Sequence, residues 1–353
     1  MDIRQTSEPQ PSMPSKPYPV IRNKRVLVTG GAGFIGSNIC EDLLKFNNKV
    51  ICFDNFLTGF RKNIEPFLTN SNFQLIEGDI RNIEDCRRAC EGADLVLHQA
   101  ALGSVPRSIN DPLTTNDINI NGFLNVLIAA RDAKIKRFVY AVSSSVYGDL
   151  ADLPKIEENI GNPLSPYAVT KYANELYAHV FALNYGMEII GLRYFNVFGK
   201  RQDPNGPYAA VIPKFTMLLM AHKSPVINGD GSNSRDFTFI DNVLQMNHLA
   251  ATTQNKEALG QVFNTATSER NDLNQLFNYI KEYLSLYDKD IVKIEPVYGP
   301  ERQSDIPHSL ASIDKAKRLL GYNPQFNLKE GLEIAVKWYY ENLKILKPDI
   351  SLN

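Results

Sequence analysis

Val26-Leu27-Val28-Thr29-Gly30-Gly31-Ala32-Gly33-Phe34-Ile35-Gly36 reads as a buried strand, a glycine turn and the first turn of a helix. Gly30, Gly33 and Gly36 recur every three residues. In that spacing the first glycine lets the chain reverse. The second lets the backbone approach a pyrophosphate, and the third lets the helix lie close to the strand. The helix start offers unpaired N–H groups and the positive end of its dipole to phosphate oxygens. Glycine turns also serve purely structural ends, so this one gains meaning from the next strand along the chain.

Lys49-Val50-Ile51-Cys52-Phe53-Asp54 is that second strand, and it ends in an acid. Asp54 lies 18 residues beyond Gly36, near the spacing of about 20 expected for a carboxylate that binds a ribose hydroxyl. A carboxylate there repels a 2′-phosphate, so these residues point to NAD rather than NADP. The bland alternative for Asp54 is a turn residue before Asn55. Strand, turn, helix, strand and acid in this order favour the dinucleotide.

The 353 residues suit one large domain or two that share a core. A hydrophobic content of 43% and a net charge of −1 describe an ordinary globular chain. Balanced charge with no long basic run excludes a nucleic-acid footprint. No apolar run is long enough to cross a membrane, and the N-terminus lacks a basic-then-apolar leader, so a cytoplasmic location is expected. Cys40, Cys52, Cys86 and Cys90 read as buried reduced thiols. Cys86 and Cys90 share a helix face with no second pair to complete a zinc site, and the five histidines show no ligand spacing. No metal is expected. His98 ends an apolar strand and reads as a hydrogen-bonded core residue.

Residues 1 to about 20 carry five prolines among polar residues and read as a flexible or extended arm. From Arg25 the chain alternates strand and helix patterns. Phe73–Glu77, Asp94–Gln99, Phe138–Ser143 and Ile189–Tyr194 are further strands. Gly122–Asp132 and Pro166–Tyr185 are helices between them. Such alternation predicts an α/β fold, a doubly wound parallel sheet of the Rossmann type with helices on both faces. After Arg193 the texture changes: Asn196–Asn233 is loop-rich, and helical patterns return at Leu273–Leu284 and Leu328–Leu343. Val262–Thr265 reads as a strand returning to the first domain. The expected division is a dinucleotide-binding domain over 21–195 with about 238–266. A smaller α/β domain over 196–237 and 267–353 covers the cleft at the strand C-termini, where ligands bind in such sheets.

Ser165-Pro166-Tyr167-Ala168-Val169-Thr170-Lys171 opens a helix, with Ser165 as N-cap and Pro166 at the first position. Tyr167 and Lys171 are then i and i+4 on one face. A nearby ammonium and a positively charged nicotinamide both favour the phenolate, so Tyr167 can remove a hydroxyl proton as hydride leaves the same carbon. A surface i,i+4 pair would look the same in isolation. Ser143-Ser144-Ser145-Val146-Tyr147-Gly148 follows a strand about two dozen residues earlier. A hydroxyl there shares a proton with the reacting oxygen and the tyrosine, although a polar strand-to-loop turn reads no differently.

With these elements in hand, Arg25 to about Asn342 resembles the extended short-chain dehydrogenase/reductase family, in its NAD-dependent nucleotide-sugar epimerase branch. The resemblance rests on the glycine turn, Asp54, Gly78-Asp79-Ile80, His98-Gln99-Ala100-Ala101, the Ser143 region, and Tyr167 with Lys171. It continues in Arg193-Tyr194-Phe195-Asn196-Val197-Phe198-Gly199, in Asn228-Gly229-Asp230-Gly231 with Arg235-Asp236-Phe237, and in Arg302 with Asp305. Ala100–Ser108 and Arg201–Gly206 are most similar to the UDP-N-acetylglucosamine 4-epimerases of bacteria.

The resemblance implies catalysis by Tyr167, Lys171 and Ser143. It implies an NAD site from Gly30, Gly33, Phe34, Ile35, Gly36, Asp54, Asn55, Asp79, Ile80, Ala100 and Ala101, with Tyr167 and Lys171. It implies a UDP-sugar site from Gly103, Ser104, Ser143, Ser144, Ser145, Asn119, Asn196, Val211, Asn228, Arg235, Arg302, Asp305 and Ser309. The implied reaction is reversible inversion at C4 through a 4-keto sugar with transient NAD reduction, supplying polysaccharide precursors. NAD stays bound through each cycle.

Departures from the family pattern sharpen this. Ser144 and Ser145 stand where 4,6-dehydratases carry Asp-Glu, so dehydration is not expected. Gly103 stands where UDP-galactose epimerases often place a lysine. Ser304 replaces the usual glycine between Arg302 and Asp305. Ser309 replaces the bulky tyrosine of small-sugar epimerases and leaves room for an N-acetyl group. Two alternatives stay open: a UDP-N-acetylhexosaminuronic acid substrate whose carboxylate meets Arg107, or a protein that binds NAD and nucleotide sugar without turnover. The resemblance further implies a homodimer through Gly122–Asp132 and Pro166–Tyr185, with Leu124, Leu127, Leu176, Val180 and Phe181 as contacts.

Overall fold

Near-continuous apolar runs suit strands covered on both faces, and such runs build the centre of this molecule. The computed structural model describes residues 15–205, 209–301 and 307–343. Strands β1 (Arg25–Thr29), β2 (Lys49–Asp54), β3 (Phe73–Glu77), β4 (Leu95–His98), β5 (Arg137–Ser143) and β6 (Glu188–Tyr194) follow the expected runs within a residue at each end. Helices α1 (Phe34–Leu44), α2 (Ile83–Cys90), α3 (Val105–Asn110), α4 (Pro112–Asn116), α5 (Phe123–Asp132) and α6 (Pro166–Tyr185) alternate with them. A π-helical turn over Asp117–Gly122 joins α4 to α5.

Beyond β6 come the short strands β7 (Val197–Phe198), β8 (Val226–Asn228), β9 (Ser234–Arg235) and β10 (Thr238–Phe239), with α7 (Val211–Met220) among them. Then come α8 (Ile240–Thr252), β11 (Val262–Thr265), β12 (Asn271–Asp272), α9 (Leu273–Ser285), β13 (Val297–Gly299), α10 (Asp314–Leu320) and α11 (Leu328–Leu343). The main sheet has seven strands in the order β11-β6-β5-β4-β1-β2-β3. Every neighbouring pair is parallel. β11 is the returning strand and completes the sheet beside β6. The order reverses between β1 and β4, and the crevice beyond their C-terminal ends is where an open sheet binds ligands.

One element departs from the sequence reading. α7 lies inside the segment expected to be loop-rich. Pro213 falls in its first turn, where an N–H has no intrahelical partner, so the proline does not break the helix. Ile212, Phe215 and Leu219 bury its apolar face. The N-terminal arm also departs in part. Residues 1–14 lie outside the described residues, but Tyr18 packs on the core and Ile21 is buried. The Ile21 N–H donates to His248 Nδ1 (3.1 Å), whose Nε2 meets Asp42 (2.8 Å).

The four cysteines are buried free thiols. His98 bonds Thr29 Oγ1 through Nδ1 (2.9 Å), and burial pushes its pKa down to about 3. Among the described residues no metal-binding cluster forms, and no helix is long and apolar enough to cross a membrane.

Candidate active site

The glycine turn at the end of β1 is shaped by close approach. A Cβ on Gly36 would sit 2.1 Å from the Gly30 carbonyl oxygen, so only glycine lets α1 start this close to the strand. Gly30 adopts φ +66°, and its added Cβ would meet the Ala100 backbone at 2.8 Å. No side chain caps the first turn of α1, which leaves its N–H groups to an anionic ligand. At the end of β2 the buried Asp54 carboxylate accepts from the N–H of Ala32 (2.9 Å) and of Phe56 (2.8 Å). Burial pushes its pKa up, against those bonds. Asp79 accepts a forked pair from the Arg81 guanidinium (3.0 and 2.7 Å), the Arg81 N–H (2.8 Å) and the Asn55 amide (2.9 Å). Arg81 is the main cause that brings its pKa down to about 2.

These groups line one open cavity of about 450 Å³. Gly30, Gly33, Phe34, Ile35, Gly36, Asp54, Asn55, Asp79, Ile80, Ala100 and Ala101 all face it, together with Gly103, Ser104 and Arg107. A glycine cradle that a Cβ would fill, an open helix start and a carboxylate at the second strand fit a dinucleotide.

A second cavity of about 260 Å³ is lined by Ser143, Tyr167, Lys171 and Tyr194. Ile35, Gln99, Ala101 and Gly103 line both cavities, so the two form one trough. Sequence explains how the reactive groups arrive there. Ser143 ends β5. Ser165 Oγ accepts the Ala168 N–H (3.1 Å) and starts α6 at the strand's C-terminal end. Tyr167 and Lys171 are one turn apart on that helix. Burial pushes the Tyr167 phenol up, and its side-chain bond with Ser143 pulls it down. Lys171 Nζ donates to the Ala141 carbonyl (3.0 Å), and burial brings its pKa down to about 8. A phenol, a hydroxyl and an ammonium at the end of a dinucleotide trough can move a proton on a substrate hydroxyl beside a hydride acceptor.

The residues assigned to the sugar nucleotide are spread over several segments. Ser144 opens a short 3₁₀ turn. The Ser145 N–H donates to Ser143 Oγ (3.2 Å), while Ser145 Oγ is buried with no hydrogen-bond partner among the described residues. Asn119 is buried, and both hydrogens of its amide are committed, to the Leu102 carbonyl (3.1 Å) and Thr170 Oγ1 (3.1 Å). It therefore holds the Leu102 segment from behind. Val211 opens α7, and Asn228 pairs with Gly299. Asn196 Nδ2 donates to the Asp236 carbonyl (2.9 Å). Arg235 Nη1 donates to the carbonyls of Ser234 (3.0 Å) and Pro307 (3.2 Å). The Ser309 N–H donates to the Ser234 carbonyl (3.0 Å). Arg302 and Asp305 lie outside the described residues.

Several lining residues carry no site role in the sequence reading, Gln99 and Tyr194 among them. Tyr194 OH donates to Gln99 Oε1 (3.1 Å) and accepts from Asn247 Nδ2 (2.9 Å). Their signal was positional: Gln99 directly follows β4 and Tyr194 ends β6, both at the binding edge of the sheet.

Residues 26–266 match the model of the NAD dependent epimerase/dehydratase family. A putative UDP-glucose 4-epimerase of Methanocaldococcus jannaschii is 36% identical over 90% of this chain and 99% of its own length. The UDP-N-acetylglucosamine 4-epimerase of Methanobrevibacter ruminantium, solved with UDP-N-acetylmuramic acid, superposes with a TM-score of 0.83 at 38% identity, over 91% of this chain and 99% of that one. The UDP-glucose 4-epimerase of Thermotoga maritima, solved with UDP-glucose, gives 0.82 at 36%, over 90% and 99%.

Proposed function

The chain belongs to the NAD dependent epimerase/dehydratase family, and from that premise we propose that it interconverts UDP-N-acetylglucosamine and UDP-N-acetylgalactosamine. It is an NAD-dependent UDP-sugar 4-epimerase. The observation that carries the proposal is the continuous trough from the Gly30 turn to Tyr167, with open space at Gly103, where an added Cβ would meet nothing within 4 Å. Ser309 in place of a bulky side chain supports the same substrate.

NAD, when bound, supplies a reversible hydride acceptor and a positive ring charge. Tyr167 takes the proton of the 4-hydroxyl and Ser143 shares it. Lys171 holds positive charge beside the phenol. After the 4-keto sugar turns about its diphosphate, the opposite face of C4 would take back the hydride that it gave up, and Tyr167 returns the proton to O4. Asn196, Arg235 and Arg302 grip the nucleotide as the fixed handle, since guanidinium forks suit diphosphate oxygens. Residues 21–195 with about 238–266 form the NAD part, and 196–237 with 267–353 the sugar-nucleotide part.

The test is NMR of the purified protein with UDP-N-acetylglucosamine and no added cofactor. The galacto epimer should appear. Tyr167→Phe should lower turnover by about 10²–10⁴-fold with bound NAD unchanged. Equal turnover in the variant would remove Tyr167 from the reaction. A second reading is carried by Arg107, which lines the same cavity as Gly103 and Ser104. A uronic-acid substrate would place its carboxylate near that guanidinium, and turnover of UDP-N-acetylglucosaminuronic acid alone would favour it.

A further inference from the structure

Asn196, Arg235 and Ser309 come from three separate segments, and a single buried acid lies among them. Asp236 is fully buried. Its Oδ1 accepts from the N–H (3.0 Å) and the hydroxyl (2.9 Å) of Thr267. Its Oδ2 accepts from the N–H of Ser268 (3.0 Å) and of Ala311 (3.3 Å). Its own carbonyl accepts from Asn196 Nδ2 (2.9 Å). The donors belong to the turn after β11 and to the stretch leading into α10. The acid itself directly follows β9 and Arg235. Three stretches of chain distant in sequence thus meet on one carboxylate.

We propose that Asp236 is a positioning residue for the nucleotide sugar, binding the Arg235 strand, the Thr267–Ser268 turn and the Ala311 stretch into one frame. This rests on reading Arg235, Asn196 and Ser309 as substrate contacts. The chemistry calls for an acid. A carboxylate can accept four bonds through two oxygens, whereas an amide accepts through one and turns an NH₂ toward two donors whichever way it is set. Burial brings the Asp236 pKa up to about 6 despite four bonds. Asp236 lines neither cavity of the trough, so its loss should move the handle and leave the reacting groups in place.

The experiment compares holoenzyme carrying Asp236→Asn, Thr267→Val or Arg235→Met. The readouts are the dissociation constant of UDP by calorimetry, bound NAD, and KM against kcat on UDP-N-acetylglucosamine. Asp236→Asn should raise KM and the UDP dissociation constant by at least about tenfold, with kcat within about threefold and NAD content unchanged. Thr267→Val removes one donor, keeps the acid, and should shift both constants the same way by a smaller factor. It carries the test if Asp236→Asn does not fold. If Arg235→Met weakens UDP while the other two variants do not, the positioning role is refuted and the assignment of Arg235 stands. If Arg235→Met leaves UDP binding intact, that assignment fails and the positioning role falls with it. Parallel loss of kcat and NAD in Asp236→Asn would mark general support of the fold and overturn the proposal.

Discussion

Lys171 has 2% of its surface exposed, and a buried ammonium is disfavoured by loss of water. Its pKa falls from 10.5 to about 8 in the fold. Folding therefore favours the neutral amine. Above about 10.5 the burial carries no penalty, and the penalty is complete once pH drops below about 8. At pH 7 it amounts to about 3 kcal/mol. Lys171→Met should stabilise the cofactor-free chain by up to that amount at pH 7 and by almost nothing at pH 11, while turnover is lost. Urea unfolding at the two pH values checks this, and an equal gain at both would trace the effect to packing instead. The spacing of Tyr167 and Lys171 is readable in the sequence, because i and i+4 share a helix face. The depth of the lysine is not, since strand β5, whose Ala141 carbonyl it meets, comes from elsewhere in the chain.

α6 is the element whose ends the sequence announces best. Ser165 accepts a bond as N-cap, Pro166 begins the helix, and Gly186 ends it at φ +63°. What seats this helix on the sheet is less visible. Glu175 of α6 takes a forked pair from Arg193 of β6, with both bonds at 2.8 Å. Arg193 Nη1 reaches the Glu157 carbonyl (2.9 Å), and the guanidinium lies 4.9 Å from the Tyr147 ring centre. Burial works against the charge of Arg193, but the hydrogen bond and charge of Glu175 together with the Tyr147 phenol outweigh it and raise the pKa. Arg193→Met strands a buried carboxylate and should cost about 3–5 kcal/mol in urea unfolding, with Tyr167 turnover falling in parallel. A loss near zero would mean that water reaches Glu175. In sequence these are two charges among many, and only the crossing of helix and strand makes them partners.

At the scale of the whole molecule, α6 leaves an apolar stripe uncovered. Leu176 and Val180 are 53% and 47% exposed, and Leu183 and Val169 continue the stripe. Leu127 and Phe181, named with them from the sequence, are buried in the subunit's own core and are not available to a partner. A symmetric dimer that pairs the stripe with itself is the proposed state. Light scattering at micromolar concentration should give twice the mass of 39.7 kDa. Leu176→Lys with Val180→Lys should give a monomer that keeps its NAD. A monomeric wild type would refute the dimer.

The sequence by itself determined the sheet strands, the glycine turn followed by Asp54, the serine that ends β5, and the helix start that sets a tyrosine and a lysine one turn apart. Each is a local pattern: apolar runs, caps, glycine spacing, a helical repeat. α7 escaped because a proline in a first turn looks like a proline in a loop. Only the tertiary structure decided that Asn119 supports a backbone segment and that Gln99 and Tyr194 line the trough. It also decided that Asp236 gathers three segments, and which half of an apolar helix face is core. Those facts depend on which distant residues meet, and burial and hydrogen-bond partnership are properties of the meeting, not of either stretch alone.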